Sequence, residues 1–159
     1  MSEFTSFNEK IYRKLADQTV NNSVVFVTDT HLQNIRLTPN TPYILDLFLL
    51  VKQTSAVAGI KTKLVFNAVE LNATGSKIYT PGDTAEIKTL GGILLINFNE
   101  ILLTIVGACP IANDTFIHSK IFLRTLAGDS IMQLQWAQAV AEVSDTILSL
   151  DSYISVKKL

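Results

Sequence analysis

The sequence predicts an all-β chain: a β-sandwich of jelly-roll or related topology, preceded by a short N-terminal arm or helix. Three observations lead there. Short apolar runs, many of them alternating with polar residues, recur from Thr19 onward. Turn residues separate them at Asn21–Asn22, Thr38–Asn40, Asn72–Gly75, Pro81–Asp83, Gly91–Gly92 and Gly128–Asp129. The sequence then closes on strand, polar turn and strand in "SIMQLQWAQAVAEVSDTILSLDSYISVKKL". The expected division is an arm or short helix over 1–15 and one sandwich domain over 16–159.

The first stretch differs from the rest. Ser6 and Glu9 have capping-box spacing. Phe7, Ile11 and Leu15 follow at i, i+4 and i+8, so a helix would carry them on one face. So short a helix must dock on its own domain, a neighbouring subunit or a larger assembly; the alternative is a frayed arm.

After it, "TVNNSVVFVTD" offers a turn and then a β-branched run through Val24, Val25 and Val27. "HLQNIRL" alternates. "PYILDLFLLVK" is apolar on both faces, with Tyr43, Leu45, Leu47, Leu49 and Val51 on one and Ile44, Phe48 and Leu50 on the other. Such a strand belongs inside a sandwich or beneath a subunit contact. "GIKTKLVFN" alternates cleanly, residues 67–92 are rich in loops, and "GGILLINFNEILLTIVG" gives two strands hinged near Asn97–Glu100. "TFIHSKIFLRT" is a further strand. Met132, Leu134 and Trp136 alternate with Gln133 and Gln135, and "TILSL" and "SYISVKKL" complete the set.

The 159 residues suit one sizeable core. Their 48% hydrophobic content is high and their 17% charged content low. Mean hydropathy is +0.31. This excess of apolar residues is read as surface meant for other subunits. A formal net charge of −1 and no basic patch disfavour nucleic acid. No apolar run approaches the roughly 20 residues that span a bilayer, and the N-terminus has no signal-peptide pattern. The expected place of synthesis is a cytosol.

No catalytic constellation, metal-ligand spacing or phosphate-binding loop is found, so no catalytic residue, metal or cofactor is expected. The two histidines, His31 and His118, fall on separate strands or strand edges. Cys109 lies beside a proline turn without a motif and is read as a structural thiol. The N-x-S/T triplets at Asn21, Asn72 and Asn113 are read as turn chemistry. Asp46 interrupts an apolar strand, where an unpaired carboxylate is costly. One reading makes it a site acid; the other, adopted here, pairs it with Arg124, Lys120 or a backbone donor near a subunit contact. Trp136 is either a stacking platform or, as adopted here, core.

"RKLADQTVNNSVVFVTDTHLQNIRLTPNTPYILDLFLLV" resembles the start of a β-sandwich module of tailed-bacteriophage virion proteins. "LQWAQ", its polar turn and "SYISVKKL" resemble the end of the same module. The likeness covers about Arg13 to Val51 and Gly128 to Leu159. Such modules occur in head-decoration proteins, head fibres and tail-fibre tips. The resemblance implies a jelly-roll or tumour-necrosis-factor-like sandwich, a homotrimer and a structural or binding role, with no catalytic residues.

The long fibrous N-terminal region of many fibres is missing from this sequence, which favours a capsid decoration (cement) protein on the outer head. The expected partners are further copies of the chain and the major capsid protein, with neither nucleic acid nor membrane. Residues expected in assembly are Phe7, Ile11, Leu15, Asp46, Arg124 and Trp136. The alternatives are a fibre-tip module recognising a host-surface glycan, and a small enzyme or ligand carrier on the same fold.

Overall fold

A strand with one dry face must alternate, and the longest alternation in the chain lies at the centre of the structure. The computed structural model describes residues 8–55, 57–67, 71–74, 78–79, 95–97, 100–106, 115–125 and 127–159. They form β1 (Glu9–Arg13), β2 (Gln18–Val20), β3 (Val27–Thr28), β4 (Ile35–Leu37), β5 (Pro42–Gln53), β6 (Ile60–Asn67) and β7 (Leu71–Thr74). Then come β8 (Ile78–Tyr79), β9 (Leu95–Asn97), β10 (Glu100–Val106), β11 (Thr115–Thr125), β12 (Ser130–Gln138), β13 (Thr146–Leu148) and β14 (Tyr153–Lys158). Among the described residues there is no helix.

The strands make two antiparallel sheets. The eight-stranded sheet runs β1-β14-β5-β11-β7, with β13 joining β2 to β5 and β8 beside β11. The six-stranded sheet runs β3-β12-β6-β10-β9, with β4 also on β12. Three of the six expected turns hold; the one expected at Asn72–Gly75 does not, because Leu71–Thr74 is β7, where pairing with β11 overrides the local turn signal, and those at Pro81–Asp83 and Gly91–Gly92 lie outside the described residues. Asn22 and Asn40 take positive φ of 47° and 51°, and Gly128 turns β11 into β12 at +99°.

The core fills the space between the sheets. From the eight-stranded sheet come Tyr43, Leu45, Leu47, Leu49 and Val51 of β5, with Ile117, Ile121 and Leu123 of β11 and Ile154 of β14. The six-stranded sheet answers with Ile60, Leu64 and Phe66 of β6 and Met132, Leu134 and Trp136 of β12. These are the alternate residues of each strand, as a half-buried pleat requires.

Two further expectations are corrected. Glu9–Arg13 is an edge strand paired with β14, Glu9 opposite Lys157 and Arg13 opposite Tyr153, so no helix forms over these residues. An i, i+4 spacing also keeps side chains on one side of a strand, and pairing with β14 overrides the short helical signal. Glu9 caps no helix; it accepts a hydrogen bond from the Ser155 hydroxyl. Val24 and Val25 lie outside the strands in an exposed loop, and only Val27–Thr28 of that β-branched run pairs.

A buried ion pair crosses between the sheets. The Lys14 ammonium stands 2.6 Å from Oδ2 of Asp29, and both side chains are fully buried. Lys14 directly follows β1, and its backbone N–H donates to the Ser152 carbonyl just before β14. Asp29 directly follows β3, and its backbone N–H donates to Leu134 of β12. Oδ1 of Asp29 accepts the backbone N–H groups of His31 and Leu32 at 2.9 and 2.8 Å. Gln18 of β2 spans the same gap, donating to the Thr28 carbonyl and accepting from the Thr30 N–H.

Removing one member of a buried pair strands the other charge, at a cost of about 3–5 kcal/mol. Asp29→Asn keeps an acceptor for the His31 and Leu32 amides but leaves the ammonium without a countercharge. It should lower unfolding free energy by about that amount in urea titration. A loss below about 1 kcal/mol would contradict the assignment.

Candidate assembly surface

The face of the eight-stranded sheet turned away from the core is built from the other half of each alternation. Cross-strand register sets its rows. Ile11, Ser155, Asp46 and Lys120 lie in line across β1, β14, β5 and β11. Arg13, Tyr153, Phe48 and His118 form the next row, and Glu9, Lys157, Ile44 and Phe122 the row on the other side.

Its apolar part is a patch of rings and branched chains. The Phe48 ring stacks on Tyr153 with centroids 5.4 Å apart and meets Phe116 tilted at 5.2 Å. Ile44, Phe48, Phe116 and Tyr153 are each half-buried. Phe122 is 43% exposed and Ile11 53%. A central strand whose outer face carries this much apolar surface is suited to a covered position.

The polar part crosses the middle of the patch. The Asp46 carboxylate contacts Nε2 of His118, its diagonal neighbour on β11. Lys120, directly opposite, brings its ammonium to 4.0 Å from the other carboxylate oxygen. Asp46 therefore has partners, as the structural reading required. Lys120 was anticipated. His118 was not, because alternation assigns faces but not the register that brings two strands together. Arg124 is not a partner in this pair: register sets it opposite Pro42.

Ile11, Asp46 and Arg124 share this face. Leu15 does not: it is 79% exposed on the connection between β1 and β2. Trp136 is fully buried, which agrees with the core reading and leaves no indole surface for a partner. Phe7, Cys109 and Asn113 lie outside the described residues. His31 sits in the Asp29 turn, its ring beside the Thr30 hydroxyl. Among the described residues, no group of three or more His, Cys, Asp or Glu side chains gathers as a metal site would need.

No protein-family model matches this chain, and no curated protein matches it. Two chains of solved virus structures are similar to it. One is from the structure of infectious bursal disease virus Gt strain, with 12% identity and a TM-score of 0.29 over 94% of this chain and 41% of that chain. The other is from the Gx strain of the same virus, with 13% identity and a TM-score of 0.22 over 96% of this chain and 39% of that chain. The chain thus spans about two fifths of the length of either. Likeness this loose carries no argument about fold or function.

Asp46 lies on a half-exposed face, so its partners contribute little to folding. Asp46→Asn should keep its strand signal in circular dichroism and unfold within about 1 kcal/mol of the parent. If copies of the chain associate through this face, its size-exclusion elution should move toward smaller species than the parent's, and unchanged elution would remove Asp46 from such a contact.

Proposed function

We propose that this protein is a structural virion protein: a capsid decoration (cement) protein that binds the outer head of a tailed bacteriophage as a homotrimer and stabilises the shell. The observation that carries the reading is the outer face of the eight-stranded sheet. There exposed Ile11 and Phe122 flank an aromatic cluster around Phe48, with the Asp46, His118 and Lys120 side chains among them. Such a face suits contact between copies, its apolar part supplying area and its paired charges fixing register. A trimer so formed can sit on a threefold axis of a shell by matching its symmetry.

Strand order supports the jelly-roll subtype that the phage resemblance implies. Take β1, β4, β5, β6, β10, β11, β12 and β14 as first to eighth. One sheet then reads first, eighth, third, sixth, and the other second, seventh, fourth, fifth. This interleaving is what two Greek keys produce in a jelly roll. The major capsid protein is the partner this reading assigns.

Purified heads of the encoding phage, assembled without this protein, test the reading. The chain should sediment with them and raise the temperature at which they release DNA. Binding to host cells or lipopolysaccharide instead would assign the fibre-tip alternative. The N-terminal arm needs a gentler cut than removal of all residues through Lys14, which would take away β1 and half of the buried ion pair. Deletion of residues 1–7 should leave a folded trimer that no longer binds heads; unchanged binding would exclude the arm from the contact.

A further inference from the structure

The eight-stranded sheet ends at β1, and among the described residues nothing pairs with the far side of that strand. The alternation of antiparallel hydrogen bonds fixes which backbone groups face outward there. Lys158 N–H donates to the Asn8 carbonyl at 2.8 Å, and Lys14 N–H to the Ser152 carbonyl at 2.9 Å. The even-numbered residues therefore bond to β14. Glu9, Ile11 and Arg13 turn their N–H and C=O groups the other way. Glu9, Lys10, Ile11 and Arg13 are all exposed, as an uncovered edge requires. The register with β14 places the Glu9, Ile11 and Arg13 side chains together on the outer face of the sheet.

An open edge is a template for another strand, and charged residues on it commonly keep strands away. The charges of β1 are arranged to admit one strand in particular, which is β1 itself. Take two copies antiparallel about Ile11. Ile11 then meets Ile11, Glu9 of each copy meets Arg13 of the other, and Lys10 meets Tyr12. Every opposed pair of charges on the outer face has opposite signs, with the exposed isoleucines between them. Slipped registers lose both charge pairs, and set Glu9 on Glu9, Lys10 on Lys10, Tyr12 on Tyr12 or Arg13 on Arg13. Within its own chain Glu9 lies opposite Lys157 and accepts the Ser155 hydroxyl, so in the pair it stands between two cations. Arg13 lies opposite Tyr153, which brings it no charge. Among the described residues no carboxylate oxygen comes within 4.0 Å of its guanidinium.

We propose that β1 pairs antiparallel with β1 of a second copy across a two-fold axis centred on Ile11, so that the eight-stranded sheet runs on from one copy into the next. Such a contact is isologous, whereas those that close a trimer are heterologous, so it joins one trimer to another. β1 has five residues, an edge far smaller than the roughly 1,200 Å² of the smallest stable interfaces. Free trimers therefore stay separate. The contact fills where a surface holds trimers side by side, at an effective concentration of about a millimolar. The pairing itself does not depend on the decoration reading; its use on a shell, linking neighbouring trimers into a coat, does.

Disulfide trapping in the full chain tests it. Residues directly opposed in a hydrogen-bonded pair have Cα atoms about 5.5 Å apart, a distance that a disulfide spans. Ile11→Cys, oxidised in concentrated solution, should give a two-chain band on a non-reducing gel. It should form at least about tenfold faster than from Lys10→Cys, whose counterpart lies diagonally and out of reach. The parent, whose one cysteine is Cys109, sets the background. Adding Arg13→Glu or Glu9→Arg to Ile11→Cys should slow trapping by about tenfold. Mixing those two variants should restore it, since each supplies the charge the other lacks, and that rescue excludes a folding defect. Equal rates for Ile11→Cys and Lys10→Cys, or a rate indifferent to both charge reversals, would overturn the two-fold pairing. Head binding without trapping would overturn the pairing and leave the decoration reading intact. Trapping without head binding would support the pairing and overturn the decoration reading.

Discussion

The Lys14–Asp29 ion pair is the constraint on which the arrangement of both sheets depends. Neither side chain reaches solvent, so the two charges must satisfy one another. Lys14 sits where the chain leaves β1, and Asp29 where it leaves β3. Their contact therefore fixes the edge of one sheet against the other. Among the described residues β1 pairs along only one side, with β14. The anchored lysine and the Lys14-to-Ser152 backbone bond hold its end in register. That register in turn puts Ile11 in line with Ser155 and Asp46 on the outer face. A buried charge pair is a costly way to gain stability, and two apolar residues of similar volume often do as well. What the pair supplies here is position: a misplaced β1 would leave both charges unmatched.

The molecule offers two separate apolar surfaces, and their construction differs. The sheet face is made of rings and aliphatic chains on regular strands, with charges paired inside it. The loop tip, formed by Val24, Val25, Val57, Val140 and Val143, is made of short branched chains on backbone-pinned connections, with both the Glu142 and Asp145 carboxylates and the Lys61 and Lys63 ammonium groups nearby.

Much of the sandwich was legible because burial on one face imposes a two-residue period. β5, β6 and β12 follow that period, and the turns at Asn40 and Gly128 follow from left-handed backbone that Asn and Gly tolerate. The residues behind the phage resemblance acquire a physical role as hydrogen-bonded staples. Asp17 accepts the Leu150 N–H, Gln18 bridges Thr28 to Thr30, and Asp29 closes its own turn. Tyr43 holds Thr38, and Gln138 collects the loops around β13. What stayed hidden was non-local. Nothing in the sequence says that Lys14 meets Asp29 or that Asp46 meets His118, since both depend on register and sheet order. Ile11 and Leu15 suggested a helix because their spacing fits either period. Val24 and Val25 suggested a strand because β-propensity reflects a half-buried pleat, and their loop provides none.

The central claim is that the outer face of the eight-stranded sheet joins copies of this chain. Sedimentation equilibrium of the full chain, 17.5 kDa by sequence, tests it most directly. The account predicts a single species of three chain masses for the native protein, reverting to one chain mass when Phe122 becomes aspartate. A native protein that remains at one chain mass at every concentration measured would contradict it.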